Sequence, residues 1–189
     1  SSFNFPIICV GNLAVGGTGK TPMVEYLVRL LKKDFDTATL SRGYKRKTTG
    51  FAIANENTTA LEIGDEPMQF HQKFPGITVA VGEERLVAIP QLLHEKPGTE
   101  VIILDDAFQH RSVRAGLNIL LTEYKNLYTR DLMLTAGDLR DIRNRSKTAQ
   151  IIIFTKGKPH RPGSARKSII TVIKQTATTN VFFTIINYY

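Results

Sequence analysis

The segment that most constrains the fold is a glycine-rich loop between an apolar run and an amphipathic helical pattern. Residues 6–10 are rich in β-branched side chains, as buried strands are. After the loop, apolar residues recur from Val24 to Leu31 at the spacing of one helix face. A strand, a glycine loop and a helix in this order are typical of a P-loop, which binds the phosphates of a nucleoside triphosphate. Its eight residues are Ala14, Val15, Gly16, Gly17, Thr18, Gly19, Lys20 and Thr21.

The residue types of this loop suit phosphate chemistry. Glycines let backbone N–H groups approach the β-phosphate closely. We expect Lys20 to reach the β- and γ-phosphates and Thr21 to offer its hydroxyl to Mg²⁺. The usual pattern opens with glycine where this chain has Ala14, but the three later glycines still permit the close approach. The alternative is a glycine-rich turn that ends by chance in Gly-Lys-Thr, and the flanking patterns favour the P-loop.

Alternation of apolar runs with helical patterns predicts an α/β fold of the P-loop NTPase type. Short, fully apolar strands indicate a mostly parallel sheet with helices on both faces. The functional loops of such a sheet lie at the carboxyl ends of its strands. The predicted strands are 7–10, 37–40, 78–81, 101–104, 117–121, 151–154 and 181–186, and the predicted helices are 21–33, 66–74 and 83–95.

Two places depart from this alternation. Pro90 lies inside the third helical pattern and is expected to kink or split it. Residues 45–63 form an excursion, for which we predict a small β-hairpin with strands at 50–54 and 58–63.

Composition limits the classes of protein and partner. A length of 189 residues suits one domain, and the single cysteine, Cys9, reads as a core residue. The net charge of +8 favours an anionic partner, which is nucleic acid, an anionic membrane or a phosphorylated substrate. No RNA-binding aromatic motif or helix-turn-helix pattern is evident, so nucleic acid is disfavoured. No apolar run approaches the ~20 residues that span a bilayer, so membrane contact by this segment is expected to be peripheral.

A second constellation follows a later predicted strand. Four apolar residues, 101–104, lead into Asp105 and Asp106, which is the form of a Walker B element. Carboxylates at a strand end hold Mg²⁺ directly or through water, opposite the P-loop hydroxyl. Gln109 and His110 follow in the next loop and are expected to serve substrate or γ-phosphate.

The sequence Gly64-Asp65-Glu66-Pro67 before a helical pattern has two readings. In the first, Asp65 is the helix N-cap and Pro67 an early helical residue. In the second, the Asp65 carboxylate accepts a hydroxyl proton near the γ-phosphate. The spacing favours neither reading, and one carboxylate can do both.

With these elements located, the chain resembles the tetraacyldisaccharide 4′-kinase family, the lipid A 4′-kinases. Six ordered motifs between about residues 7 and 156 carry the resemblance: residues 10–22 around the P-loop, Leu40-Ser41-Arg42-Gly43-Tyr44, Gly64-Asp65-Glu66-Pro67, Val81-Gly82-Glu83-Glu84-Arg85, Asp105-Asp106-Ala107-Phe108-Gln109-His110 and Ala136-Gly137-Asp138-Leu139-Arg140.

The resemblance implies a reaction and residue roles. The reaction is ATP-dependent phosphorylation of the 4′-hydroxyl of a tetraacyldisaccharide 1-phosphate, a lipid A precursor. The resemblance also implies that the protein associates peripherally with the cytoplasmic face of the inner membrane of a Gram-negative bacterium. Asp65 is then the catalytic base, Lys20 and Thr21 contact phosphate and Mg²⁺, and Asp105 and Asp106 form the Walker B pair. Four more residues are implied as site residues: Arg42, Arg85, His110 and Arg140.

The resemblance also bears on the extent of the chain and on the main alternative. Full-length members carry an N-terminal membrane-associating segment and a C-terminal half, so residues 1–189 are expected to be the P-loop kinase core alone. The alternative is a P-loop GTPase or ATPase accessory protein, such as a metal-insertion protein. Such proteins commonly read guanine through Asn/Thr-Lys-x-Asp, whereas Thr155-Lys156-Gly157 is followed here by Lys158.

Overall fold

The computed structural model describes residues 3–12, 19–105, 113, 115–123, 149–155 and 180–184. The chain divides into two compact units, one of residues 1–10 and 21–116 and the other of residues 11–20 and 117–189. In chain order the elements are β1 (Ile7–Asn12), α1 (Lys20–Leu31), β2 (Thr37–Ser41), β3 (Ala52–Ile53), α2 (Ala60–Ile63), α3 (Asp65–Lys73), β4 (Thr78–Val81), α4 (Arg85–Glu95), β5 (Val101–Asp105), β6 (Leu117–Glu123), β7 (Ile151–Thr155) and β8 (Asn180–Phe183).

The first unit contains a five-stranded sheet in the order β3-β4-β2-β5-β1. The pairs β4–β2, β2–β5 and β5–β1 are all parallel, and only the two-residue edge strand β3 runs antiparallel to its neighbour. The prediction of a mostly parallel sheet is therefore confirmed. Strands β1, β4 and β5 are mostly apolar because both faces of the sheet are buried. Strand β2 also buries the polar residues Thr37, Thr39 and Ser41.

Helices cover this sheet on both sides. On one side, Ala88, Ile89 and Leu92 of α4 pack in one cluster with alternate residues of four strands, among them Leu40 and Leu104. The intervening strand residues, which point to the opposite face, are buried as well, except Ile8, which is partly buried. Buried side chains of the adjacent helices α1 and α3 supply the cover on that second side: Val24, Leu27, Val28 and Phe70. Cys9 is 5% exposed and belongs to the core, as predicted.

The second unit contains the parallel strands β6, β7 and β8 in that order. Leu121 is in register with Ile153, which is in register with Phe182. Leu120, Leu121 and Phe154 are buried, so this unit also has an apolar sheet. The three strands were predicted from their apolar runs.

The predicted hairpin in residues 45–63 is wrong. Within residues 45–63 only Ala52 and Ile53 form a strand, and they pair with β4 instead of with a second hairpin strand. Residues 60–63 are the short helix α2, because Thr59 and Glu62 form the hydrogen bonds that begin a helix. The side chain of Glu62 accepts from the backbone N–H of Thr59 at 2.7 Å.

Pro90 does not split its helix, since α4 runs unbroken from Arg85 to Glu95. A proline here removes the hydrogen bond to the carbonyl of Leu86. Leu86 and Pro90 are both exposed, so water can satisfy that carbonyl. Among the helices that the structure describes, none combines the length and apolar character needed to cross a bilayer.

Candidate functional site

Parallel pairing brings the carboxyl ends of three strands of the first unit to one edge of its sheet. Ser41 ends β2, Val81 ends β4 and Asp105 ends β5. Ser41 is in register with Val81, and Val10 of β1 is in register with Asp105. These strands therefore end at the same edge of the sheet, as the sequence predicted.

The hydroxyl of Thr21, the last residue of the P-loop pattern, donates a hydrogen bond to the Oε1 carboxylate oxygen of Glu66. These two residues are 45 positions apart, and the contact joins the first turns of α1 and α3. It places the Gly64–Pro67 motif beside the predicted Mg²⁺-binding hydroxyl. Glu66 was not among the site residues predicted from the sequence. Its position beside Asp65 in a motif of charged residues was the available signal.

Asp65 is the first helical residue of α3 and is not its N-cap. The N-cap is Gly64, whose φ of +95° is a value that favours glycine. The reading of Asp65 as N-cap is therefore wrong, because the helix begins one residue earlier than that reading requires. The Asp65 side chain is exposed and makes no hydrogen bond with any other residue that the structure describes. An exposed carboxylate in the first turn is favoured by the helix dipole and remains accessible to an acceptor molecule.

Gly64 also fixes the distance between α3 and the loop after β2. A Cβ at this position would lie 3.0 Å from the carbonyl oxygen of Tyr44 and 3.3 Å from the carbonyl carbon of Gly43. The loop that carries Arg42 and Tyr44 therefore packs directly on the start of the helix that carries Asp65 and Glu66. Arg42 and Tyr44 are exposed, so both side chains are accessible at this edge.

Asp105 and Arg85 lie in the interior, where Asp105 is 1% and Arg85 2% exposed. The guanidinium of Arg85 donates to the carbonyl oxygen of Gly82 and, at 3.4 Å, to that of Asp105. Gly82 follows β4 and Asp105 ends β5, which are the two strands that flank β2. Arg85 therefore connects two strand ends across a third, and it contacts the backbone of Asp105, the first aspartate of the predicted Walker B pattern.

Other predicted site residues can be placed only in part. Gly19 precedes α1 with a φ of +86°, which glycine adopts without strain, and Lys20 is the first residue of that helix. The remaining predicted residues lie outside the described part of the chain: Ala14, Val15, Gly16, Gly17, Thr18, Asp106, Gln109, His110 and Arg140.

The donor atoms present fit a hard divalent cation. The Thr21 hydroxyl and the carboxylates of Glu66 and Asp105 are oxygen donors, and Mg²⁺ prefers oxygen ligands. Within the described segments, histidine, cysteine, aspartate and glutamate form no group of three or more with the spacing of a closed metal cluster.

Comparison with known proteins places these features in a family. The profile of the Tetraacyldisaccharide-1-P 4′-kinase family matches residues 1–184. The chain belongs to this family. The Tetraacyldisaccharide 4′-kinase of Flavobacterium johnsoniae is 50% identical over 188 residues, which are 100% of this chain and 55% of that protein. The protein of the same name from Bacteroides thetaiotaomicron is 55% identical over 156 residues, or 82% of this chain and 41% of that protein.

The chain thus spans about half the length of these tetraacyldisaccharide 4′-kinases. The crystal structure of LpxK from Aquifex aeolicus, described as a complex with ATP, is similar with a TM-score of 0.70 and 30% identity. The similarity covers 100% of this chain and 73% of that chain. Hydrogenase maturation factor HypB from Archaeoglobus fulgidus has a TM-score of 0.57 at 10% identity, covering 96% of this chain and 81% of that chain. The likeness to HypB concerns the fold alone.

Proposed function

We propose that this chain is the P-loop kinase core of an enzyme that transfers the γ-phosphate of ATP to the 4′-hydroxyl of a tetraacyldisaccharide 1-phosphate. One observation carries the proposal. The hydrogen bond from Thr21 to Glu66 brings the end of the P-loop pattern to the helix that begins with Asp65. The proximity of the proposed Mg²⁺-binding hydroxyl of Thr21 to the helix that carries the accessible Asp65 carboxylate supports phosphoryl transfer to a hydroxyl.

In the proposed mechanism, the 4′-oxygen of the acceptor attacks the γ-phosphorus in line with the leaving group. The bond from the γ-phosphorus to the β,γ-bridging oxygen breaks and ADP leaves. The hydroxyl proton passes to the Asp65 carboxylate, whose exposed position leaves it free to receive the acceptor. Lys20 binds the β- and γ-phosphates together with the backbone N–H groups of residues 14–19.

The residues proposed to hold Mg²⁺ are Thr21, Asp105 and Asp106, with Glu66 beside the Thr21 hydroxyl. When bound, Mg²⁺ neutralises negative charge that develops on the phosphate oxygens. Asp105 ends β5 at the carboxyl edge of the sheet, which is where a carboxylate that holds a P-loop cation is expected.

We propose that polar residues at the carboxyl edge of the first unit's sheet bind the acceptor disaccharide and its phosphate. Arg42 is exposed and free to bind an anionic group, and Gln109, His110 and Arg140 are proposed as further contacts. Arg85 is buried and donates to backbone carbonyls, which favours a supporting role for it over direct contact. A chain with net charge +8 also suits the proposed site of action, the anionic cytoplasmic surface of the inner membrane of a Gram-negative bacterium.

The test is a phosphoryl-transfer assay on the full-length enzyme that contains this chain, with ATP and the tetraacyldisaccharide 1-phosphate. Lys20→Ala is expected to abolish transfer, since no other residue of the P-loop pattern carries a positive charge. A variant that keeps more than about a tenth of the wild-type kcat would have lost less than ~1.4 kcal/mol, too little for this role. Hydrolysis of ATP or GTP with no phosphate transferred to the disaccharide would overturn the proposed reaction.

A further inference from the structure

The side chain of Arg46, including its charged guanidinium, is buried. It is 2% exposed, whereas the neighbouring residues Lys45 and Lys47 are exposed. The guanidinium donates to the carbonyl oxygen of Gly50 and to Oε1 of Glu83, at 2.5 Å from the latter. Arg46 lies in the loop after β2 and Glu83 follows β4, so the ion pair joins segments that leave neighbouring strands.

Glu83 contributes a second contact from its other oxygen, since Oε2 accepts from the backbone N–H of Gly50 at 3.0 Å. Burial raises the pKa of the Glu83 carboxyl. Hydrogen bonds from Arg46 and from backbone N–H groups, with the charge of Arg46, outweigh burial and lower that pKa below its ordinary value of 4.5. Glu83 is therefore ionised at neutral pH, and the ion pair fixes both ends of residues 46–50.

The stem of Arg46 also sets the path of the preceding residues. Gly43 has a φ of +71°, and a Cβ there would lie 2.5 Å from Cδ of Arg46 and 2.9 Å from the carbonyl oxygen of Ile63. Gly43 is thus enclosed between the Arg46 side chain and the segment that leads into α3. Further along, the N–H of Lys47 donates to the carbonyl oxygen of Leu61 at 2.8 Å.

These contacts form one continuous path from Glu83 to the proposed base. The Arg46 side chain packs against Gly43, and the backbone of Gly43 and Tyr44 packs against Gly64. Gly64 is the N-cap of the helix whose first residue is Asp65. We propose that the Arg46–Glu83 pair is a positioning element for phosphoryl transfer, which holds residues 42–50 against Gly64 and so sets the place of the Asp65 carboxylate. This inference rests on the proposed function of Asp65.

The experiment compares Arg46→Met, Arg46→Lys and Asp65→Asn in the full-length enzyme. For Arg46→Met we expect kcat to fall about tenfold or more, because small misplacements of a catalytic group are costly. The KM for ATP should change by less than about threefold. Arg46→Lys should recover part of the kcat, since an ammonium keeps the charge but cannot reproduce the forked contacts to Glu83 and Gly50.

Hydrogen–deuterium exchange gives a readout that is independent of activity. The amide hydrogens of Lys47 and Gly50 are bonded to Leu61 and Glu83, so a peptide over residues 43–52 should exchange faster in Arg46→Met. The matched control is Arg29→Ala, which breaks an ion pair of 3.0 Å to Glu25 on α1. This control should leave both kcat and the exchange of that peptide unchanged.

The outcomes separate this inference from the function of Asp65. A normal kcat for Arg46→Met beside a disabled Asp65→Asn would overturn the positioning role alone. A normal kcat for Asp65→Asn would overturn the assignment of the base, and this inference with it. If Arg46→Met does not fold, Glu83→Gln replaces it, because glutamine keeps the shape and an acceptor for Gly50. For Glu83→Gln we expect the same direction of change as for Arg46→Met, which is a lower kcat and faster hydrogen exchange in residues 43–52. If neither changes, the inference is contradicted.

Discussion

At the scale of single residues, two adjacent carboxylates at the start of α3 have different surroundings. Glu66 is partly buried and accepts from the Thr21 hydroxyl, whereas Asp65 is exposed and makes no such contact among the described residues. The Glu66 carboxylate already accepts from the hydroxyl beside the P-loop pattern, so it is well placed for the proposed cation. The Asp65 carboxylate makes no such contact among the described residues, so it is available to accept a proton from the acceptor hydroxyl. The two neighbours are therefore suited to separate roles.

Asp65→Asn tests the assignment of the base. Asparagine keeps the shape of the side chain and removes its ability to take a proton. General-base groups contribute about 10²–10⁴-fold, so kcat should fall at least ~10²-fold in a transfer assay with the lipid disaccharide. The melting temperature should move little, because only the interaction of one exposed charge with the helix dipole is lost, about 0.3–1 kcal/mol.

Glu84→Gln is the matched control for this substitution. Glu84 is likewise an exposed acid at the start of a helix, and it makes no side-chain capping bond. Its kcat should equal that of the wild type. Near-normal turnover of Asp65→Asn would leave Asp65 with no chemical role in the transfer.

At the scale of elements, residues 45–63 show what periodicity alone misses. Residues 50–54 and 58–63 were predicted to be the two strands of a hairpin. The second segment instead became α2, because the pattern Thr-x-x-Glu at Thr59 and Glu62 is a capping box that starts a helix. That signal was present in the sequence. The antiparallel pairing of β3 with β4 was not, since it joins residues about 28 positions apart and depends on tertiary contact.

Glu62→Gln tests this helix start through its pH dependence. The hydrogen bond from the backbone N–H of Thr59, and then that from its hydroxyl, lower the pKa of Glu62 below its ordinary value of 4.5. A carboxyl whose pKa is lower in the folded than in the unfolded state stabilises the fold above the unfolded value. That stabilisation is lost as the pH falls through the lowered folded value. The wild type should therefore melt at a slightly higher temperature than Glu62→Gln at neutral pH, and the difference should close as the pH falls below the ordinary value of 4.5 and through the lowered folded value.

The measurement is a thermal melt of both proteins from about pH 7 to about pH 3. Glu56→Gln serves as the comparison, because Glu56 is exposed in the same segment and makes no side-chain hydrogen bond with other described residues. A difference between wild type and Glu62→Gln that stays constant over this range would mean that the charge of Glu62 does not stabilise α2.

At the scale of the whole molecule, the strands of both units were predictable and the contacts between distant segments were not. Buried parallel strands are rich in apolar and β-branched residues whatever their neighbours, so β1, β2, β4 and β5 could be located to within two residues. The P-loop and Walker B patterns then indicated which edge of the sheet holds the site. The hydrogen bond from Thr21 to Glu66 and the ion pair from Arg46 to Glu83 depend on side chains that meet only after the chain folds.

The core of the first unit supports the site through β5, and Leu104→Ala tests this support. Leu104 is fully buried, is in register with Cys9 and Leu40, and directly precedes Asp105. Truncation of a buried leucine costs about 2–5 kcal/mol. For a chain of this size, each kcal/mol lowers the melting temperature by roughly 2–4 °C, so a fall of at least about 4 °C is expected. Well below that temperature, kcat should stay within about threefold of the wild type, because the backbone of β5 remains paired on both sides.

Val87→Ala on the exposed face of α4 is the control, since Val87 is 50% exposed and its truncation should change stability by less than about 0.5 kcal/mol. For each preparation we measure both the melting temperature and kcat well below it, and we compare each value with that of the wild type. A Leu104→Ala enzyme that melts normally but has lost its kcat would show that Leu104 shapes the site directly. Loss of stability with kcat retained would show that the core keeps the sheet folded, while the residues at its carboxyl edge perform the chemistry.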